Sequence, residues 1–173
     1  MAKGLVLVNT GTGKGKTTAA LGAVSRALGH GLRVGFIQFI KSKDTGESRF
    51  LEDLAQDKTR SLHYARHGRG FVGKNPSQTD RDLARDGLEL AQALAGELDL
   101  LVLDEINVAI SLGLIGSAEV AEFLKGRPPE LNVILTGRGC PDDLIDLADT
   151  VTEMIEVRHA FRNGTPACRG VDF

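Results

Sequence analysis

The sequence predicts an α/β fold, a three-layer sandwich built on a mainly parallel sheet. Three observations predict it. Short apolar runs alternate with segments of helical period along the chain, the pattern of β-α-β crossovers rather than of hairpins. A glycine-rich stretch ending in Gly15-Lys16-Thr17-Thr18 falls between the first apolar run and the first helical segment. A later apolar run, residues 100–103, ends in two adjacent carboxylates, Asp104 and Glu105. A strand, a glycine loop and a helix opening on Gly-Lys-Thr, with an acid-ended strand downstream, are the marks of a phosphate-loop (P-loop) NTPase fold of the RecA-like kind.

Each element has its own reason. Residues 5–8 are continuously apolar, as a strand covered on both faces must be. Residues 19–28 have helical period and stop at the glycines around His30. Residues 34–40 are a second apolar run and predict a central strand. Residues 41–48 are polar and predict a loop, and Phe50, Leu51 and Leu54 then mark a short helix. A weaker strand over 61–65 leads into 67–76, where three glycines and a proline allow only a loop. Ser77, with Asp80 three residues on, predicts a helix cap. Leu83, Gly87, Leu90, Ala91 and Leu94 follow at helical spacing as a packing face. Residues 100–105 predict a strand, 117–125 a helix, 132–136 a buried strand, 142–147 a short helix and 151–157 a last strand. Residues 158–173 carry little periodicity and read as a tail.

Composition narrows the function classes. A chain of 173 residues with 42% apolar content can bury one sizeable core. A net charge of −2 excludes bulk attraction to nucleic acid. Cys140 and Cys168 form no C-x-x-C and suit a reducing cytosol. The apolar run near the start is too short for a signal peptide, and no stretch approaches a membrane span. With no repeat and no long linker, the expectation is one cytoplasmic domain over 1–173, with no membrane and no nucleic-acid partner.

The chemistry-bearing residues converge on a triphosphate. In such a loop the backbone N–H groups and the positive helix start face an anion, Lys16 adds a charge, and the Thr17 hydroxyl can ligate Mg²⁺. The candidate ATP contacts are Asn9, Gly11, Thr12, Gly13, Lys14, Gly15, Lys16, Thr17 and Thr18. Arg138, in Gly137-Arg138-Gly139 after a buried strand, can clamp phosphate oxygens. The strict loop pattern has a glycine where this chain has Thr10. Asp104 and Glu105 offer hard oxygen to Mg²⁺. Residues 59–79 contain no acid, while Arg60, His63, Arg66, His67, Arg69 and Lys74 fall there beside Tyr64 and Phe71. That stretch reads as a nucleic-acid surface, as a lid over a bulky or anionic small molecule, or as a solvated loop. No Asn-Lys-x-Asp specifies guanine, and no residue stands out as a general base toward a hydroxyl acceptor.

Read together, Gly11–Ala20, Gln38-Phe39, Val102-Leu103-Asp104-Glu105, Thr136-Gly137-Arg138-Gly139 and Leu147-Ala148-Asp149-Thr150-Val151 follow the order of one family. The chain resembles the corrinoid (cobalamin) adenosyltransferases of the phosphate-loop type. The ending His159-Ala160-Phe161, then Gly164, Ala167, Gly170 and Asp172-Phe173, resembles that family's C-terminus. The doubled Gly13-Lys14-Gly15-Lys16 is more specific than a generic phosphate loop.

The resemblance implies transfer of the 5′-deoxyadenosyl group of ATP to Co(I) of cobalamin or a precursor, with release of triphosphate. It implies ATP lying reversed in the loop, with Lys16 on the leaving group and Thr17 and Glu105 (Asp104 as a further candidate) on Mg²⁺. It further implies Arg69, Phe71, His159 and Phe161 at the corrinoid, Phe71 acting on its lower face. A homodimer and a flavoprotein reductant follow from the same likeness. The family's Gly-Phe-x-Trp stands here as Gly70-Phe71-Val72-Gly73, and the chain has no tryptophan. Two other classes remain alternatives: an ATPase gripping nucleic acid with its basic loop, and a non-catalytic ATP-binding regulator.

Overall fold

The structure is a computed structural model and describes residues 3–70, 72–73 and 75–173. Among the described residues there are six strands: β1 (Val6–Thr10), β2 (Val34–Phe39), β3 (Leu62–His67), β4 (Leu100–Asp104), β5 (Asn132–Thr136) and β6 (Thr150–Glu153). They form one sheet in the order β3-β2-β4-β5-β1-β6, every adjacent pair parallel. The expectation of a mainly parallel sheet is met in full. β5 lies between the strand that enters the glycine loop and the strand that ends in carboxylates, which is the RecA-like arrangement.

Among the described residues six α-helices cover the sheet: α1 (Lys16–Gly29), α2 (Gly46–Gln56), α3 (Gln78–Leu94), α4 (Ile106–Ser111), α5 (Ser117–Gly126) and α6 (Asp142–Ile145). The continuous apolar strands are explained by the two cores they separate. Leu100 and Val102 pack with Ala20, Val24 and Leu28 of α1 and Leu51 of α2. Leu101 and Leu103 point the other way, to Ala84, Leu88 and Ala91 of α3 and to Ile106, Val120 and Leu144. Successive side chains of a strand face opposite sides, so the middle of a strand with helices on both faces is apolar at every position. β6, at the edge, is exposed throughout and is correspondingly polar. It is shorter than the predicted 151–157, because the chain turns in toward the glycine loop after Glu153.

Local signals fare as their physics dictates. Ser77 caps α3: its hydroxyl accepts from Asp80 N while Asp80 accepts from Ser77 N at 2.9 Å. The buried stripe of α3 is Ala84, Gly87, Leu88 and Ala91, with Leu90 and Leu94 only partly covered. The predicted face is therefore turned by about one residue. Gly87 decides this, because a Cβ there would stand 2.9 Å from the Phe39 ring and 3.0 Å from His67. Helix α4 had no sequence signal. It follows β4 directly, lasts six residues and is apolar without period.

Register brings the polar ends of the strands to one line. Gln38 pairs with Asp104 across β2 and β4, Leu103 with Leu135, and Asn9 with Thr136. The carboxyl ends of four strands thus present Gln38, Asp104, Thr136 and the glycine loop at one edge of the sheet, where ligands of such folds bind.

Candidate active site

The loop between β1 and α1 is shaped by what lies against it. Met154, just past β6, donates its N–H to Thr10 O and accepts from Gly13 N at 2.6 Å. Gly11 has φ 93, and a Cβ on it would fall 2.4 Å from Met154 O, so only glycine fits. Gly15 has φ 110 and enters α1. Thr10 is still strand, with no need of positive φ, and its hydroxyl accepts from Cys140 N. That accounts for a threonine where the strict pattern has glycine.

Lys16 folds into the loop, its Nζ donating to Gly11 O at 2.8 Å and Gly13 O at 2.6 Å. Burial, followed by the positive charges of Arg138 and Lys41, lowers its pKa, with Glu105 opposing. Three cations facing one space repel one another unless a polyanion lies among them, and the first turn of α1 contains no acid to answer them.

Asp104 is completely buried and saturated. Its Oδ1 accepts from Thr17 Oγ1 at 2.8 Å and Thr136 Oγ1 at 2.7 Å, its Oδ2 from Gln38 Nε2 at 2.8 Å and Lys41 Nζ at 3.3 Å. Gln38 is oriented in turn by the Tyr64 hydroxyl, 3.2 Å from its Oε1. Burial pushes the Tyr64 phenol up to about 12, so it remains a donor.

Glu105 differs from its neighbour. Its backbone is left-handed at φ 64, its N–H donates to Thr136 Oγ1 at 2.9 Å, and its carboxylate faces the cleft 3.6 Å from Lys41 Nζ. Burial raises its pKa and outweighs the pull of Lys41. A non-glycine residue in that region is strained by roughly 1–3 kcal/mol, a cost tolerated mostly at functional sites.

These groups open on a cleft of about 700 Å³ lined by residues 13–18, Lys41, Glu47, Glu105, Val108, Arg138 and the tail at 170–173. Gly13, Lys14, Gly15, Lys16, Thr17 and Thr18 thus line it as expected. Asn9, Gly11 and Thr12 stand behind them: Asn9 O accepts from Gly137 N, and Thr12 O from Arg138 Nη2 at 3.2 Å. Thr17 and Glu105 present hard oxygen, the donor type Mg²⁺ takes while keeping water and phosphate oxygens. Among the described residues no group of three or more His, Cys, Asp or Glu side chains could hold a metal unaided.

The sequence profile described as ATP:corrinoid adenosyltransferase BtuR/CobO/CobP matches residues 2–173. The chain belongs to this family. It is 40% identical to the corrinoid adenosyltransferase of Pseudomonas aeruginosa over 178 residues, covering 99% of this chain and 84% of that protein. The enzyme of the same name from Escherichia coli K12 is 37% identical over 175 residues, 99% of this chain and 86% of its own length. One from a Sinorhizobium species is 40% identical over 176 residues, 99% and 81% of the two chains.

Against that family background, the corrinoid candidates fall in two places. His159 accepts from Phe161 N at 3.2 Å and starts a 3-10 turn over Ala160–Asn163, leaving Phe161 73% exposed. Both line a smaller cavity of about 360 Å³ that shares Lys14, Val171 and Asp172 with the main cleft. Lys14 and Asp172 form an ion pair, which ties the tail to the phosphate loop. Arg69 is exposed beyond β3, at the other edge of the sheet, and is not brought to either cavity. Phe71 lies outside the described residues.

The basic stretch is partly neutralised. Arg66 pairs with Asp44 at 2.8 Å and Glu52 at 2.6 Å, and Arg60 reaches Leu28 O at 3.4 Å. No helix among the described residues is long and apolar enough to cross a membrane. Sequence reasoning missed Lys41 and Val108. Lys41 had one faint signal, as the first polar residue after Ile40, where the apolar run of β2 gives out.

Proposed function

We propose that the chain moves the 5′-deoxyadenosyl group of ATP onto the cobalt of a Co(I) corrinoid, cobalamin or a cobyrinic acid diamide precursor. Cobalt supplies the electron pair that bonds C5′, the C5′–O bond breaks, and triphosphate leaves with the bonding pair as cobalt becomes formally Co(III). The observation that carries this reading is the convergence of Lys16, Lys41 and Arg138 on the phosphate-loop cleft of a chain in this family. Such a reaction needs no protein base. It needs neutralisation of the leaving triphosphate and an in-line C5′.

In this reading Lys16 and the loop amides hold the leaving group, Arg138 clamps it from β5, and Thr17 and Glu105 hold Mg²⁺. Bound Mg²⁺ would supply charge to the departing triphosphate. Asp104, with both oxygens taken, orients Thr17 and Lys41. Residues 1–173 act as one catalytic domain, the tail from 158 adding His159 and Phe161 to the corrinoid side, with Arg69 and Phe71 coming from the loop after β3. A cytoplasmic homodimer served by a flavoprotein reductant completes the proposal.

The deciding experiment mixes the protein with MgATP and a chemically reduced corrinoid, and follows product absorbance together with released triphosphate. One triphosphate per adenosylated corrinoid is expected. ADP release stimulated by polynucleotide would instead make it a nucleic-acid ATPase.

Two variants test the assignments. Glu105→Ala should fold normally yet need at least tenfold more Mg²⁺ for half-maximal rate, because a ligand of a hard cation is gone. Phe71→Ala tests the aromatic wedge, which would displace the corrinoid's lower ligand without offering a donor atom. Its rate should stay within about twofold of normal on pre-reduced Co(I) corrinoid and fall at least tenfold in the coupled reaction from Co(II). Equal losses in both assays would leave Phe71 a mere packing residue.

A further inference from the structure

Lys41 belongs to no motif, yet it stands at the centre of the acidic corner. Its Nζ lies 3.4 Å from Thr17 Oγ1, 3.3 Å from Asp104 Oδ2 and 3.6 Å from Glu105 Oε1. Thr17 and Glu105 are the side chains assigned above to Mg²⁺. An ion about 2.1 Å from their oxygens would sit against an ammonium in this place. Two cations at contact distance in a half-buried corner repel strongly.

The backbone and the side chain of Lys41 are held differently. Its N–H donates to Phe39 O at 2.7 Å, and the preceding Ile40 is tied to His67 O at 3.1 Å and to Gly70 N at 2.8 Å. Ile40 has φ 68, a region a β-branched residue rarely enters. Among the described residues, Ile40 and Glu105 are the only non-glycine residues with positive φ, and they flank the two sides of this one cluster. The root of Lys41 is therefore set, while its side chain is 32% exposed and lines the cleft with Lys16 and Arg138.

We propose that Lys41 is an exchangeable counter-cation. Its ammonium holds the oxygens of Thr17, Asp104 and Glu105 in register, and it swings to the triphosphate oxygens when Mg²⁺ takes Thr17 and Glu105. The inference rests on the Mg²⁺-triphosphate reading of the cleft. It makes Mg²⁺ and nucleotide reinforce each other, since each Mg²⁺ bound also frees one positive charge for the polyanion, and such coupling is reciprocal.

The test uses Mn²⁺ as the probe, with the full chain, no nucleotide and no corrinoid, and counts free Mn²⁺ by electron paramagnetic resonance. Lys41→Met keeps the stem and removes the competing charge, so it should bind Mn²⁺ at least tenfold more tightly than the unaltered chain. Lys41→Arg should keep the weaker affinity, and Glu105→Gln added to Lys41→Met should abolish the gain. The same Lys41→Met protein should bind MgATP about tenfold more weakly. Thermal unfolding checks each variant, and Lys41→Gln is measured in place of Lys41→Met if the latter does not fold. Mn²⁺ affinity no tighter than that of the unaltered chain, including no binding to either, overturns the exchange. If Glu105→Gln alone still abolishes Mn²⁺ binding by the unaltered chain, the metal assignment survives that result. A gain indifferent to Glu105→Gln overturns both.

Discussion

Replacing Lys16 with alanine should lower turnover by about a hundredfold to a thousandfold while leaving a folded protein, the loss typical of removing one preorganised donor to developing charge. The side chain is 9% exposed and held by two loop carbonyls within 2.8 Å, so its ammonium is fixed at the middle of the cradle. Neither Arg138, tied in part to Thr12 O, nor Lys41, rooted after β2 beside the carboxylates, stands where the loop carbonyls hold the Lys16 ammonium. The change leaves two loop carbonyls short of a donor, a cost near 1 kcal/mol of stability. Turnover measured with saturating MgATP and pre-reduced corrinoid checks the prediction. Near-normal turnover in a folded Lys16→Ala protein would sink the proposed hold on the leaving triphosphate.

Asp104→Ala should act on the fold first. Four donors, from Thr17, Gln38, Lys41 and Thr136, end on its two oxygens at full burial. Removing the acceptor leaves these groups unsatisfied and takes away one of the two carboxylates, Asp104 and Glu105, that face the Lys41 ammonium. The expected loss is about 3 kcal/mol or more, since one stranded buried donor alone costs about 1–3. In a chain of this size that lowers the melting temperature by roughly 6–12 °C. Calorimetry on Asp104→Ala and Glu105→Ala side by side separates the two carboxylates. An unchanged melting temperature for Asp104→Ala with a raised Mg²⁺ requirement would exchange their roles.

How much was legible without coordinates depends on the range of the interaction. The cap at Ser77, the alternation of buried strands with helices and the turn at Gly15-Lys16 are set by a residue's immediate neighbours. Sequence by itself therefore determined the α/β class, the phosphate loop and the acid-ended strand. The family likeness, carried by motifs in their order along the chain, was equally readable.

Other features depend on which strands become neighbours. Gln38 meets Asp104 only because β2 pairs with β4 in that register, and this brings Lys41, two residues past the end of β2, onto the carboxylates. Gly11 must be glycine because Met154, distant in sequence, crosses above it. Asp104 and Glu105 look equivalent in the chain. Tertiary structure alone decided that one is buried under four hydrogen bonds while the other turns a strained backbone toward the cleft, because burial and strand order are properties of the packed sheet and not of any local segment.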